Sequence, residues 1–585
     1  MTPKQFVTAY KKDGSIKAVS KRPGMTYYSA RKAYLEAKDQ GLIQPLRVGR
    51  KTADEVVTPV EPKIAGQRKA KQTPTRKLPA KGKVKRYLCT SAQNNTFLHE
   101  ELYANLLAFA KHVGAELLIS RFAYQRSGLN RGGDKAEWAP TYEDQRMSLS
   151  AEETHKNPET LYGSDRYVWA PEVYDHVSDE RMELAPGLVW CGEWQRSPTT
   201  VNPLSGFQVY TGQKSGIFPH VKLCMESVPT AKHEPAKFNY TTGTITMRNY
   251  IQKGAGLKAE FHHCYGAALI EVDNDGDWFV RQISADSDGT FYDLDVRVRG
   301  GNVTTGHRIE GLTLGDIHED KKDPTVHQLQ AKMHNELNPR HTFYNDLLNF
   351  GRRNHHERKD PFKSFERFVE NNEDVRGEVE KAMDYLGQQA DRWPDTRHVV
   401  VDSNHDRALE RWLREVDWRH DPINMMFYME AAHAKLSAIA QEDDDFHMLR
   451  HWWGQREGWI PGKQTNVVFL DEDESFVICD DPHGGIENGM HGHLGANGSR
   501  GNIKTFAKMG RRANIGHSHS AGIVEGIWQA GTSSLVDLGY NRGMSGWSHS
   551  HILTYANGKR CMITMRNGKY RAGMKPLSGE LKVGA

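Results

Sequence analysis

The sequence predicts an α/β protein that opens with a helix-turn-helix and continues as two α/β domains. Three observations carry this expectation. From Tyr87 onward, strand-like apolar runs alternate with segments of helical spacing, the pattern of sheets covered by helices. Charge is divided between a basic arm and an acidic body. His, Asp and Asn recur in five short clusters, most of them where a strand gives way to a loop, which is where open α/β sheets place ligand sites. At 585 residues the chain has room for several domains and a sizeable core.

The arm comes first. Residues 1–86 hold 22 Lys and Arg against six Asp and Glu, a balance of +16, while the whole chain carries +4 and the remainder therefore −12. Such a split suits a polyanion-binding arm on an acidic body. Helices are expected at Lys4–Lys12, at Ser15–Lys21 and, after the Pro23-Gly24 turn, from a Thr26 cap to about Gln40, with Gly41 as the stop. This order resembles a helix-turn-helix over residues 1–50. Thr26, Tyr27, Tyr28, Arg31 and Lys32 are then the side chains that meet bases in the major groove, and DNA is the expected partner. Residues 51–86 carry Pro59, Pro62, Pro74 and Pro79 among many basic and few large apolar residues, which predicts a flexible basic linker.

Residues 87–304 read as an accessory α/β domain. Apolar spacing predicts a helix over Phe97–Val113 and a buried strand over Glu116–Ser120, with further strands at 188–190, 207–210, 243–246, 267–272 and 278–280. His262, His263 and Cys264 adjoin one another without a further ligand cluster, so a packing or capping role is expected. The six cysteines are scattered with no CxxC pair and read as free thiols. Lys4, Lys11, Lys12 and Asp13 interrupt any secretory leader, and no apolar run approaches the roughly 18 residues of a membrane helix. The expectation is a soluble, cytoplasmic protein without a membrane partner; a homo-oligomeric state is left open.

The informative part is residues 305–585. A short strand at Ile309–Leu314 ends in Gly315-Asp316-Ile317-His318, and Thr342–Tyr344 ends in Asn345-Asp346. After a helical insertion at about Asp360–Arg392, His398–Val401 runs into Asp402-Ser403-Asn404-His405-Asp406. Met490-His491-Gly492-His493 and Gly516-His517-Ser518-His519 follow. The order DxH, D, NHD, H, GHxH resembles the calcineurin-like metallophosphoesterase superfamily, nuclease branch included. The resemblance covers about residues 305–555 and implies a sandwich of two mixed sheets flanked by helices. It further implies one metal held by Asp316, His318, Asp346 and His519, and a second held by Asp346, Asn404, His491 and His517, with Asp346 as the bridge. His491 and His493 compete for one position, and the resemblance favours His491.

Residue chemistry agrees with two divalent ions. Mixed imidazole, carboxylate and amide donors suit manganese first, then iron or zinc, with magnesium as a further alternative. Two such ions can activate water and clamp phosphoryl oxygens. His405 is the group placed to stabilise the phosphorus centre or protonate the leaving oxygen, with Asp406 expected to orient it. Two departures from the superfamily pattern stand out: Asn345 and Ser403 occupy positions usually held by Gly, Asn345 being the milder because Asn tolerates left-handed backbone. The strand before Gly516 is also unusually polar, with Arg511, Arg512 and Asn514. The wider layout, including Asn354-His355-His356 and the Gly495–Gly501 loop, resembles phage-encoded proteins of the superfamily that degrade DNA early in infection, which implies a metal-dependent DNA nuclease working in a host cytoplasm. The alternatives are a protein or small-molecule phosphoesterase, and a non-catalytic DNA-binding regulator on a retained metal fold.

Overall fold

The computed structural model describes residues 2–13, 19, 21–23, 25, 29–30, 32–33, 36–37, 73–94, 96–124, 169–456, 465–480, 484–538 and 541–577. The chain divides into two units, Met1–Gln72 and Thr73–Ala585. In the first, the helix Pro3–Asp13 buries Phe6 and Ala9 in a small core with Val19, Ala30, Ala33 and Ala37. Lys32 is helical and exposed; Thr26, Tyr27, Tyr28 and Arg31 lie outside the described residues, as do residues 41–72 of the arm and linker.

The second unit is mixed α/β. A six-stranded sheet runs in the order Val467–Phe469, Arg397–Val400, His341–Tyr344, Gly311–Thr313, Ser550–Thr554, Arg560–Thr564. Its first four strands are parallel and the last two antiparallel. Parallel strands buried on both faces read as unbroken apolar runs, and successive side chains serve opposite faces. Tyr344 and Val400 accordingly join a core with Leu312, Leu329, Leu386 and Leu409 under the helices, while Phe343 and Val399 pack with Ile478 and Ile486 on the other side. The covering helices are Pro324–Leu337, Val375–Arg392, Ala408–Glu415, Met425–Ala440 and Met448–Gln455. Pro324–Leu337 shows why they form where they do: Asp323 accepts the Thr325 and Val326 amides, Pro324 takes the first turn, and left-handed Asn338 closes the end. The expected insertion at 360–392 is two helices, Pro361–Val369 and Val375–Arg392.

Ile478 and Ile486 belong to a ten-stranded mixed sheet that crosses the expected domain boundary at residue 304. Met225–Val228 pairs antiparallel with Gly522–Val524, so five strands from residues 181–241 and five from 477–529 form one sheet. Trp190, Tyr240, Ile270 and Trp278 share a core with Ile523, Trp528, Ile552 and Met562. Segments 87–304 and 305–585 are thus parts of one folded body, because each supplies the other with a covered sheet edge. A four-stranded sheet, with Ala115–Phe122 and Lys85–Gln93 parallel and Gly266–Val272 and Trp278–Ser284 antiparallel, completes that core.

Other expectations need correction. The last part of the linker expected at 51–86 is folded: Arg76 donates its amide to the Glu183 carbonyl and pairs with Glu116 at 2.8 Å. Phe207–Tyr210 forms turns instead of a strand, since Phe207 finds its apolar partners edge-on in Trp194 and Phe218 without a ladder. Residues 243–246 make only isolated bridges, Thr244 to Tyr265 and Thr246 to Leu98. His263 is packed, with Nδ1 on the Tyr250 hydroxyl and Nε2 on the Thr246 carbonyl. All six cysteines are free, and no helix among the described residues is long and apolar enough to cross a membrane.

Candidate metal centre

Three adjacent parallel strands converge on one sheet edge, and their loops carry Asp316 and His318, Asp346, and Asn404-His405-Asp406 in turn. The loops are stitched together: Ile317 donates to the Asn345 carbonyl at 2.9 Å and His318 to the Asp346 carbonyl at 2.8 Å. Arg512–Ile515 of the larger sheet delivers His517 and His519, and Gly516 donates to the His491 carbonyl at 2.7 Å. A side chain on Gly516 would put Cβ 2.3 Å from Asp316 Oδ1, so only glycine fits there.

The backbone here is strained. His318, Asp346, His517 and His519 all have left-handed φ, between 44° and 73°. Each such residue costs about 1–3 kcal/mol and persists only where its surroundings fix it, as at functional sites. The left-handed position is Asp346 itself and not Asn345, so the reason expected for tolerating Asn345 does not apply. Asn345 has another use: its Oδ1 lies 3.2 Å from His491 Nδ1, which fixes that ring with Nε2 toward Asp346 Oδ2 at 3.3 Å.

Asp316, His318, Asp346 and His519 are buried, and one donor atom from each lies within 4.8 Å of all the others. His519 Nε2 is 3.0 Å from Asp316 Oδ2, and the Nε2 atoms of His318 and His519 are 3.1 Å apart. His491 and His517 adjoin this group with ring centroids 5.3 Å apart, and the His517 amide donates to Asp316 Oδ1. Asp346 Oδ1 and Asn404 Oδ1 are buried without a hydrogen-bond partner. Orphaned buried acceptors are costly, and a cation is what would satisfy them among imidazoles. Asp316, His318, Asp346 and His519 thus form one buried group that could hold a metal, with His491 against Asp346 and His517 against His491.

Electrostatics follow from burial and proximity. Burial and the neighbouring His405 lower His318 to about 3, so it is neutral and fit to ligate. Burial alone would lower His491, but the Asp346 carboxylate outweighs it and raises the imidazole to about 9. The histidines in turn overcome burial at Asp346 and hold it well below the usual carboxylate range. His493 lies beside these rings, 5.4 Å from His491 and 6.1 Å from His517 between centroids, with burial and His491 lowering it to about 3.

His405 meets the cluster edge-on, its centroid 4.6 Å from that of His318, and its Nδ1 is held at 2.7 Å by the Asn349 carbonyl. Asp406 does not orient His405. Its carboxylate turns back and accepts the Leu348 and Leu347 amides, at 2.8 and 3.4 Å, and the Ser403 hydroxyl at 2.9 Å. Asp406 and Ser403 together hold the loop that begins at Asp346, which gives the Ser403 departure a purpose. Asn345, Asn349 and Glu378, which accepts the Gly351 and Arg352 amides, are positioning residues that the motifs do not mark.

No family profile and no solved structure matches the chain. A curated protein does: Protein A1 of Escherichia phage T5 is 35% identical over 504 residues, covering 83% of this chain and 83% of that protein.

Proposed function

This chain belongs to the family of Escherichia phage T5 Protein A1, and from that premise we propose that it is a metal-dependent DNA nuclease of the calcineurin-like metallophosphoesterase superfamily, hydrolysing phosphodiester bonds. The observation that carries the reading is the buried Asp316, His318, Asp346 and His519 group, whose donor atoms lie within 4.8 Å of one another. The order of the motifs and a pair of mixed sheets facing each other across Phe343, Val399, Ile478 and Ile486 support it.

Asp316, His318, Asp346 and His519 would hold one divalent ion, manganese first, and Asp346, Asn404, His491 and His517 a second; bound there, the pair supplies Lewis acidity and a water of lowered pKa. The chain's own residues do the rest. Asp406 and Ser403 keep the Asp346 loop in register. The Asn349 carbonyl accepts a proton-bearing Nδ1 from His405, which leaves Nε2 as the atom that meets substrate. In its imidazolium form His405 gives the Nε2 proton to the leaving alkoxide and takes a proton back from solvent afterwards. In this reading the basic arm holds the DNA, through the residues expected from the sequence to meet it, Thr26, Tyr27, Tyr28, Arg31 and Lys32.

The test is full-length protein with Mn on linear, circular and single-stranded DNA, beside a chromogenic diester and a phosphorylated peptide. Cleavage of DNA and diester that stops on chelation is expected. Turnover of the peptide with intact DNA would favour a protein phosphoesterase, and no turnover with metal retained would favour the non-catalytic regulator.

A further inference from the structure

Beside the ligand cluster lies a cleft of about 840 Å³ whose lining includes His405, His517, His519, Arg500, Gly501 and Trp547. We infer that this cleft is a binding site for an unpaired nucleotide, with Trp547 stacking the base and Arg500 gripping the phosphate next to the one cut. The inference rests on the phosphodiesterase reading and adds the form of the substrate, a single strand or a frayed end.

Trp547 is a fixed platform. Its ring centroid is 4.1 Å from that of His519, at 65°. The next residue, Ser548, donates its amide to the His519 carbonyl, and the Trp547 amide donates to Ser545 Oγ at 3.2 Å. A half-buried indole in contact with His519 sets a stacking surface directly beside the donor cluster. Base stacking on such a ring is worth about 1–3 kcal/mol and is indifferent to sequence.

Arg500 is placed as firmly. It ends a hairpin closed by the Leu494–Arg500 bridge, and Gly501 donates to the His493 carbonyl at 2.8 Å. A side chain on Gly501 would set Cβ 1.8 Å from the Gly492 carbonyl oxygen, so the hairpin lies directly on the loop that carries His491. Among the described residues Arg500 is the only Lys or Arg on the cleft wall, and it has no ion-pair partner. An exposed guanidinium beside an anionic ligand set, on a body of net negative charge, is suited to receive a phosphate from outside. A cleft of about this size suits a small ligand, one or two nucleotides, and not the stacked pairs of a duplex.

The test is binding by the full-length protein in EDTA, at salt high enough to silence the arm, with fluorescent oligothymidine and a duplex of equal length as probes. Wild type should prefer the single strand. Trp547→Ala should weaken that binding about tenfold, Trp547→Phe should restore most of it and Trp547→Leu should not. Arg500→Ala should weaken it about tenfold and lower the salt slope by about one. Equal affinity for single strand and duplex, or unchanged single-strand affinity in both alanine variants, overturns the inference. So does equal loss in Trp547→Phe and Trp547→Ala, because that marks a structural role. Mn-dependent cleavage of a chromogenic diester by wild type is read in parallel: its absence defeats the phosphodiesterase reading, and its presence with normal binding by the variants defeats only the nucleotide site.

Discussion

The acidic loop Asp273–Asp277 and the Asp316–Asp346 cluster both bury carboxylates, and they neutralise them differently. In the loop, Lys569 Nζ sits 2.9, 2.7 and 2.6 Å from Asp273, Asp275 and Asp277, and Asn567 and Gly573 donate to the remaining oxygens of Asp277 and Asp273. That cation is the chain's own and is 1% exposed. Around Asp316 and Asp346 no lysine or arginine pairs among the described residues; histidines surround them, and Asp346 Oδ1 has no partner. Where the fold wants a permanent cation it supplies one from 296 residues away. Where it offers imidazoles and an orphaned acceptor, the group could hold an ion from outside.

Glu378 shows a third solution. The closest guanidinium atom, Arg352 Nε, stands 3.9 Å away, and burial together with the Asp320 charge raises this carboxyl from 4.5 to about 7. A proton and a lysine are thus two ways in which this fold buries a carboxylate, and a metal is the third proposed for it.

The largest effect is expected at the open cluster. Asp346→Ala should reduce diester and DNA hydrolysis to background, because both donor sets lose their shared carboxylate; substantial turnover at saturating Mn would break the contrast with the filled loop. His405→Ala should lower kcat about 10²–10⁴-fold with metal content unchanged, as elemental analysis of the purified variant checks. A lost ion there would make His405 a ligand. Lys569→Met should cost about 3–5 kcal/mol of stability by stranding buried carboxylates. Its melting temperature should rise with millimolar Ca²⁺ by more than that of wild type, since the emptied loop then resembles a weak oxygen-donor site. If wild type responds equally, Lys569 is not the resident cation.

A chain beginning at Thr73 should need about tenfold more DNA for half-maximal cleavage and lose most of its salt dependence, with the chromogenic diester cut as before. Equal DNA cleavage by both chains at low and high salt removes the arm from the mechanism. The smallest effect concerns Glu378. Its folded pKa lies above the unfolded value, so the fold favours its protonated form; that contribution is complete below about pH 4.5 and disappears as pH rises through about 7. Glu378→Gln should therefore melt about 2 °C above wild type at pH 8 and lose this advantage at pH 5. An advantage independent of pH would mean that the carboxyl does not titrate there.

Local motifs at strand ends were legible in the sequence because the chemistry of a metal site restricts both residue type and order. The residues that hold those motifs in place were less so. Asp406 follows His405 directly, yet a turn sends its carboxylate to Leu347 and Leu348, and adjacency in sequence gives no side-chain direction. Asn345 looked like a departure until His491 arrived 146 residues later to use its oxygen. The shared sheet was hidden for the same reason: Gly522–Val524 is three residues long, too short for its pattern to name Met225–Val228 as partner. Thr26, Tyr27, Tyr28 and Arg31, outside the described residues, stand as an expectation from the sequence.

The cluster around Asp346 could hold a metal, and the proposed function needs two ions there. Calorimetric titration of EDTA-stripped full-length protein with Mn²⁺ tests it most directly. The account predicts saturable uptake of two ions per chain, with Asp346→Ala losing both and Lys569→Met losing neither. No saturable uptake, or uptake that survives Asp346→Ala unchanged, would contradict it.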